Sequence, residues 1–391
     1  MTKNYKRLGD YIQEVKVRNA DLKAEKLLGI NIDKFFMPSV ANVVGTDLSV
    51  YKIVKKNQFA CNRMHVGRDY RLPISMSKTD EEFMVSPAYD VFEIIDTDIL
   101  YPGYLMMWFS RREFDRNAWF YTDADVRGGL HWKALCDMQL PIPSITKQRE
   151  IVEEYNVIQN RIALNQQLIQ KLEETARAIY KQWFVEFEFP DENGKPYKSN
   201  GGEMVFNEEL EKEIPKGWEN KELGKITIIT AGGDRPNLFS VYKTNELKVP
   251  IYSNSSANEG LFGYTNEATV LKKCVTISAR GAIIGFTVLR TKPFVPIVRL
   301  IVVIPKQEYL LNYIFYCINN FKYNDSGSAQ GQLTVPEISS FKVITPNSEI
   351  LKKYQEISTV IINMIDIKKN ENIKLEEFKN LLLSKLATIE N

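Results

Sequence analysis

Two stretches of this chain repeat each other 203 positions apart, and this duplication constrains the fold more than any other feature. Lys171-Leu172-Glu173-Glu174 recurs as Lys374-Leu375-Glu376-Glu377. At the same offset Leu130 matches Leu333, Leu135 matches Ile338, Pro143 matches Pro346, and Val157-Ile158 matches Val360-Ile361. Upstream, Leu8-Gly9 matches Leu223-Gly224 at a slightly larger offset. Solenoid repeats have periods of roughly 20–50 residues, so this one reads instead as two copies of a unit, each a globular domain followed by a helix.

Periodicity locates the helices. Ile151, Tyr155, Ile158, Ile162, Asn165, Ile169, Leu172, Ala176, Ile179 and Trp183 follow in steps of four and three, and all but Asn165 are apolar or aromatic. That is the seam of a coiled coil. Pro143-Ser144 supplies a stop and an N-cap, and Glu150, Glu153 and Glu154 lie near the positive end of the helix dipole. Past Phe184, Val185, Phe187 and Phe189 alternate as in an extended segment, and Pro190 bars further helix. At about 1.5 Å per residue, residues 144–185 would extend roughly 60 Å. The second copy steps through Ile350, Tyr354, Ile357, Ile361, Met364, Lys368, Glu371, Leu375, Phe378 and Leu382 after the cap candidates Asn347 and Ser348. Lys368 stands where Asn165 stands in the first copy, so both seams are interrupted at equivalent heights, which sets register at some cost in stability.

Charge is distributed unevenly around a formal net of +2. Residues 190–222 carry 5 basic and 9 acidic groups and read as a solvated connector, whereas residues 223–346 carry 13 basic and 7 acidic groups. Residues 1–143 are nearly balanced, with 20 and 19. The expected organisation is a first globular domain over 1–143, a helix over 144–189, a linker and entry segment over 190–222, a second globular domain over 223–346 and a second helix over 347–391. Short β-rich runs such as Val91 to Ile95 and Cys274 to Ser278, mixed with helices such as Leu310 to Asn319, make the domains α+β. The apolar runs, such as Val298 to Pro305 with Arg299 inside, fall far short of the roughly 20 residues a bilayer span needs. No apolar segment follows Lys3, Lys6 and Arg7 as a secretory signal would require, so a cytoplasmic protein is expected. Cys61, Cys136, Cys274 and Cys317 are widely spaced and His65 and His131 are the only histidines, which reads as isolated buried thiols rather than a zinc site or disulfide framework.

The run Ala176-Arg177-Ala178-Ile179-Tyr180-Lys181-Gln182-Trp183-Phe184-Val185-Glu186-Phe187-Glu188 resembles the central conserved region of specificity subunits of Type I restriction-modification enzymes. Ile214-Pro215-Lys216-Gly217-Trp218-Glu219, followed by Leu223-Gly224-Lys225-Ile226, is similar to the opening of the family's target recognition domains. Leu140-Pro141-Ile142-Pro143 running into Gln148 and Ile151 resembles the junction from domain to helix. The first domain opens with Leu8-Gly9-Asp10-Tyr11-Ile12 and lacks the Pro-x-Gly-Trp preamble, and the second helix has Leu386-Ala387 where the first has Trp183-Phe184.

This resemblance implies two target recognition domains, each reading one half of a split double-stranded DNA target. It implies that two long antiparallel coiled-coil helices hold them apart and dock two methyltransferase subunits, with Tyr180, Trp183 and Phe184 as partner-binding candidates. Restriction or translocase subunits join in some complexes. The chain itself would be non-catalytic and without cofactor, S-adenosylmethionine belonging to the methyltransferase subunits. Independently, a rod between two similar domains acts as a ruler, since readers on one face of a duplex are spaced by about one helical turn, roughly 34–36 Å, or multiples of it. Because the domains differ nearly everywhere except at the helix junctions, an asymmetric target is expected.

Base reading needs Arg, Asn or Gln in bidentate geometry, and phosphate holding needs Lys, Arg, Ser and backbone amides. In the first domain the candidates are Asn62, Arg63, His65, Arg68, Arg111, Arg112 and Arg127. In the second they are Asn254, Ser255, Arg280, Ser328, Gln330 and Gln332. Ion pairing of Arg111 and Arg112 with Glu113 and Asp115, and a plain turn at 254–258, are the structural alternatives. The motifs of a DNA methyltransferase, a glycine-rich cofactor loop and an Asn/Asp-Pro-Pro-aromatic element, do not occur, and Asp191, Glu209 and Lys212 have the wrong spacing for a nuclease. A coiled-coil scaffold binding only proteins is the remaining alternative.

Overall fold

The computed structural model describes residues 5–41, 45–64, 66–122, 129–321 and 332–388. The chain divides into two compact units, one of residues 1–166 with 370–391 and one of residues 167–369. These units cut across the linear division into domain and helix, because each takes part of both long helices.

In unit 1 the strands are β1 (Tyr5–Arg7), β2 (Ile12–Glu14), β3 (Leu28–Ile30), β4 (Phe36–Pro38), β5 (Lys52–Val54), β6 (Phe59–Cys61), β7 (Ile74–Met76), β8 (Phe83–Val85), β9 (Asp90–Ile94) and β10 (Gln139–Pro141). The helices are α1 (Val66–Asp69), α2 (Pro102–Phe109), α3 (Arg112–Phe120), α4 (Trp132–Asp137) and the first part of α5 (Ile145–Phe184). Strands β2, β9, β6 and β7 form an antiparallel sheet in that order, while β1 pairs with β10, β3 with β4 and β5 with β8. The alternation of strand side chains buries both faces. Phe59 and Cys61 face Tyr104, Leu105 and Phe109 of α2, whereas Ala60 joins Val54, Phe83 and Val91 on the other side.

Unit 2 contains β11 (Met204–Asn207), β12 (Lys212–Pro215), β13 (Glu219–Glu222), β14 (Thr227–Ala231), β15 (Val249–Tyr252), β16 (Leu261–Thr265), β17 (Cys274–Ile277), β18 (Thr287–Arg290), β19 (Val295–Pro296), β20 (Ile301–Pro305) and β21 (Lys342–Thr345). Its helices are α6 (Leu223–Ile226), α7 (Leu311–Asn319), α8 (Val335–Ser340), the last part of α5 and most of α9 (Ser348–Lys385). The main sheet runs β14-β20-β17-β18, so both units order their four strands first, fourth, second, third along the chain. In both, the opening strand pairs with the strand that precedes the long helix, β1 with β10 and β13 with β21. Helices α4 and α8 start 203 residues apart, as do α5 and α9. The duplication read from a few matched residues is thus a duplication of topology. The units diverge in the small sheets inserted beside the main one: two hairpin-like pairs in unit 1, and β16-β15-β19 with a parallel pairing in unit 2.

A close approach explains the matched glycines. A Cβ on Gly9 would lie 2.8 Å from the Cys136 Cβ, and one on Gly224 would lie 3.1 Å from the Ser339 Cβ and 3.3 Å from the Ser339 carbonyl oxygen. Cys136 and Ser339 occupy the same place in α4 and α8, so the same tight joint is built twice.

The long helices complete the cores. In unit 1, Ile151 and Val152 of α5 and Leu383 and Leu386 from the end of α9 and the turn after it join Leu8, Tyr104 and Leu140, and the Tyr5 hydroxyl donates to the Ala387 carbonyl at 2.9 Å. In unit 2, Tyr180, Trp183 and Phe184 of α5 and Ile350, Leu351 and Tyr354 of α9 join Tyr313 and Ile314 of α7. Within each unit the helix segments run antiparallel. Arg161 pairs with Glu371 at 2.7 Å and the Asn165 amide donates to Asn372 at 2.9 Å in unit 1, and Trp183 packs on Tyr354 with ring centres 5.8 Å apart in unit 2. Asn347 caps α9, accepting from the Ile350 amide at 2.9 Å.

All ten seam positions of α5 are buried or half-buried. Seven of the ten α9 seam positions are buried or half-buried, whereas Ile357, Met364 and Phe378 are exposed and Leu351, Ser358, Ile365, Leu383 and Leu386 beside that line are buried. The physical reason is that α9 carries two adjacent apolar stripes, and spacing alone does not say which residues of each pack. The connector over 190–222 is also more than solvated chain. It holds the β11–β12 hairpin, and Phe189, Ile214 and Trp218 are buried in the unit 2 core, with Phe189 stacked on Tyr197 at 4.6 Å and on Trp218 at 5.0 Å. Phe187 and Phe189 are buried in irregular chain rather than in a strand, and Phe187 has a φ of 62°. Among the described residues no helix is long and apolar enough to cross a membrane.

Gly224→Ala should lower stability by about 1–3 kcal/mol through overpacking against Ser339, measured as a fall in the urea midpoint at unchanged m value. Asn165→Ala should cost about 1–3 kcal/mol because the Asn372 amide loses its buried partner. The double variant Asn165→Leu/Asn372→Leu should recover most of that loss in the same denaturation assay.

Candidate functional site

In unit 2 the expected residues converge on one backbone position. The Ala279 amide donates to the Asn254 Oδ1 at 2.8 Å, and the Ala279 carbonyl accepts from the Leu333 amide at 2.9 Å. Asn254, Arg280 and Gln332 are therefore neighbours, drawn from three loops. Arg280 is exposed and precedes the short turn Gly281–Ile283. Ser255 is engaged locally, its Oγ accepting from the Ala257 amide at 3.2 Å. Ser328 and Gln330 lie outside the described residues.

The Asn254 side chain has a second bond, donating its Nδ2 to the Val298 carbonyl at 2.5 Å. It is thus a clamp between loops, with both ends of its amide used inside the protein. Val298 and Arg299 both adopt left-handed backbone, with φ of 54° and 62°. For L residues this conformation costs about 1–2 kcal/mol each, and it persists only where surrounding structure over-determines it. Here the Val298 amide donates to the Gly233 carbonyl at 2.9 Å and the Arg299 amide to the Gly232 carbonyl at 3.0 Å. Gly232 is needed for that approach, since a Cβ there would stand 2.7 Å from the Pro296 carbonyl carbon. Arg299 is exposed and makes no ion pair among the described residues. Sequence reading missed it because it sits in an apolar run; the polar break within that run was the available signal.

Arg290, also not anticipated, anchors the loop after β15 from beneath. Its guanidinium lies 3.6 Å from the Tyr252 ring centre, donates to the Thr276 Oγ1 at 3.1 Å and to the Glu259 carbonyl at 2.5 Å, and burial pushes its pKa down. Lys369 pairs with the Glu259 carboxylate at 3.0 Å.

Unit 1 builds the same junction with different chemistry. The Arg63 carbonyl accepts from the Leu130 amide at 3.0 Å, which makes Arg63 the counterpart of Ala279 and Leu130 that of Leu333. The Arg63 side chain turns inward, bonding the Asp90 carboxylate and the Leu130 carbonyl with Trp132 alongside at 5.9 Å. Arg111 is 5% exposed, lies 4.1 Å from the Trp108 ring centre and 3.6 Å from Glu113, and burial lowers its pKa. Both side chains are engaged inside the fold, each with an acidic partner and an aromatic ring beside it. Asn62 is half-buried and accepts from the Met64 amide at 3.2 Å. Arg68 is exposed and paired with Asp69 at 2.6 Å, and Arg112 is exposed at the start of α3. Structure brings Asn62 and Arg63 together, with Arg111 and Arg112 on a separate helix start. His65 and Arg127 lie outside the described residues. Tyr180, Trp183 and Phe184, expected to bind partners, are 6%, 7% and 5% exposed. They hold the unit 2 core together, because an aromatic stripe at the end of α5 meets Tyr313 and Tyr354.

All four cysteines are buried and free, and burial raises the Cys61 thiol and pushes Cys274 up to about 12, so these thiols stay protonated and unreactive. Among the described residues no group of three or more His, Cys, Asp or Glu is arranged to hold a metal ion.

A duplicated α+β protein, with unlike loops at equivalent junctions of its two units, is the class these features define. Residues 215–377 match the family model described as the Type I restriction modification DNA specificity domain, and that range begins at the second unit's entry segment and runs well into α9. The specificity subunit of the type I restriction enzyme HindI of Haemophilus influenzae is 22% identical over 426 residues, covering 92% of each chain. That of the MjaIX enzyme of Methanocaldococcus jannaschii is 26% identical over 296 residues, covering 67% of this chain and 64% of its own. The chain thus spans under two thirds of the length of the latter. The crystal structure of the S subunit of a Type I restriction-modification system from M. genitalium shares the fold, with a TM-score of 0.62 at 14% identity over 100% of this chain and 98% of that one. Over nearly its whole length the chain is thus similar to specificity subunits of Type I restriction-modification systems, and residues 215–377 carry their DNA specificity domain.

Arg63→Ala should destabilise by about 1–3 kcal/mol, since it leaves the half-buried Asp90 carboxylate and the Leu130 carbonyl without their partner, whereas Arg280→Ala should stay within about 0.5 kcal/mol of the parent. Urea denaturation of the two variants checks the contrast.

Proposed function

We propose that this chain is the DNA-specificity subunit of a Type I restriction-modification complex, with each unit reading one half of a bipartite, asymmetric target. The observation that carries the reading is the duplication itself: the same sheet order occurs twice, with different inserted sheets and different chemistry at the equivalent Arg63 and Ala279 junctions. Two readers with one architecture and unlike loops correspond to two unlike half-sites. The lengths of α5 and α9 set the spacer between those half-sites in this reading. The chain supplies recognition rather than chemistry, and methyl transfer from S-adenosylmethionine belongs to partner methyltransferase subunits.

For partner docking, the exposed stripe of the long helices replaces the buried aromatics. Val157 and Val360, equivalent under the repeat, are 63% and 60% exposed, and Leu164 and Ile367, also equivalent, are 61% and 62% exposed. These exposed apolar side chains are available to a partner, and their occurrence at equivalent positions of both helices supports two copies of the methyltransferase subunit. Residues 223–346 carry the basic excess, consistent with a larger share of phosphate contacts there.

Methylated-adenine mapping of DNA modified by the reconstituted complex should give one motif of two unlike halves around a fixed spacer. Binding should weaken with salt at a slope of about −0.9 per neutralised phosphate. A salt-independent complex without any sequence preference would leave the protein-only scaffold as the function.

A further inference from the structure

We infer that Arg299 is a base-reading residue of unit 2, aimed by the left-handed Val298–Arg299 turn, and that Asn254 is its positioning residue. This inference rests on the DNA-reading function proposed above and assigns a determinant within it.

Three observations meet at this turn. The first is geometric: two consecutive residues, one of them β-branched, are held at φ of 54° and 62° by the Gly232 and Gly233 carbonyls on one side and the Asn254 amide on the other. Backbone held this firmly in a sparsely populated region directs the following side chain along one path, and it occurs where function demands that aim. The second is electrostatic. Arg299 is exposed without an ion pair among the described residues, in contrast to Arg290, which is sunk against Tyr252 and Glu259. The third is connectivity. The two bonds of the Asn254 amide end on Val298 and Ala279, each adjacent in sequence to an exposed arginine, Arg299 or Arg280. Arg235 is on the neighbouring segment after Gly233 and stacks over Phe239 at 3.9 Å, so that cation is already committed, and Asp234 beside it is the acidic group of the segment.

A phosphate contact does not need such a fixed approach, because a flexible cation satisfies it. Base readout does: a guanidinium must meet the O6 and N7 of a guanine in plane and in register, which makes arginine on a rigid support the commonest specific contact in the major groove. Arg299 is accordingly assigned to a G·C pair of the half-site read by unit 2, and Arg280, on the more open turn, to the adjoining backbone.

The test uses the full chain assembled with its methyltransferase subunits and a duplex library with each half-site randomised in turn, methylation being read by sequencing. Arg299→Ala should relax one G·C position in one half by roughly 5- to 150-fold and leave the other half unchanged. Arg299→Lys, which keeps the charge and loses the fork, should relax the same position. Asn254→Asp keeps the acceptor for Ala279 and loses the donor to Val298, and it should relax that same base pair rather than lower methylation evenly. Arg280→Ala should weaken all sequences alike. If the parent complex yields a bipartite motif and Arg299→Ala leaves it intact, or lowers all sequences evenly, the assignment of Arg299 is overturned while the reading function stands. A parent complex without any motif would remove the reading function and this assignment with it.

Discussion

Everything in this fold depends on the apolar seam between α5 and α9. Neither globular half is closed by its own contiguous chain. The unit 1 core requires Leu383 and Leu386 from the far end of the sequence, and the unit 2 core requires Tyr180, Trp183 and Phe184 before its first strand has begun and Tyr354 after its last. Burial of such side chains contributes roughly 1.5–3 kcal/mol each, so the helices are part of both cores rather than a spacer added to finished domains. The Asn165–Asn372 pair then fixes register, because sliding one helix past the other would leave the amides unpaired in an apolar seam.

Much of this was legible in the sequence, for identifiable reasons. The 203-residue offset survived where packing forbids change, at Gly9 and Gly224 against the equivalent Cys136 and Ser339, and at the entries to α5 and α9. The seam of α5 was readable because a single apolar stripe runs along it. That of α9 was legible only in part, because apolar residues also flank it: Leu351, Ile365 and Leu383 are buried beside the line, and Val360 and Ile367 are left outside. The β11–β12 hairpin went unseen because a few aromatics, Phe189, Tyr197 and Trp218, anchor a segment whose composition is otherwise that of a connector.

The candidate site was less legible, since residue type does not reveal direction. Arg63 and Arg111 have the composition of a DNA contact and the environment of a core cation, one against Asp90 and Trp132, the other against Trp108. Asn254 has the residue type of a base contact, while its amide bonds Val298 and Ala279 inside the protein. Arg299 escaped notice because the left-handed turn that lifts it out of an apolar run is created by contacts with Gly232 and Gly233, some 65 residues earlier. Local sequence carries no trace of a conformation imposed from so far away.

The placement of Leu386 and Ala387 against the first strand has a consequence for biogenesis. As the ribosome makes this chain, unit 1 must wait for Leu383 and Leu386 before its apolar interior is sealed, an interval on the order of tens of seconds at about 5–20 residues per second. The half synthesised later, by contrast, has its entire complement of core residues once Lys369 has left the tunnel. The order of maturation is thereby inverted relative to the order of translation, and a message cut short before Leu383 would leave unit 1 unsealed while unit 2 is complete.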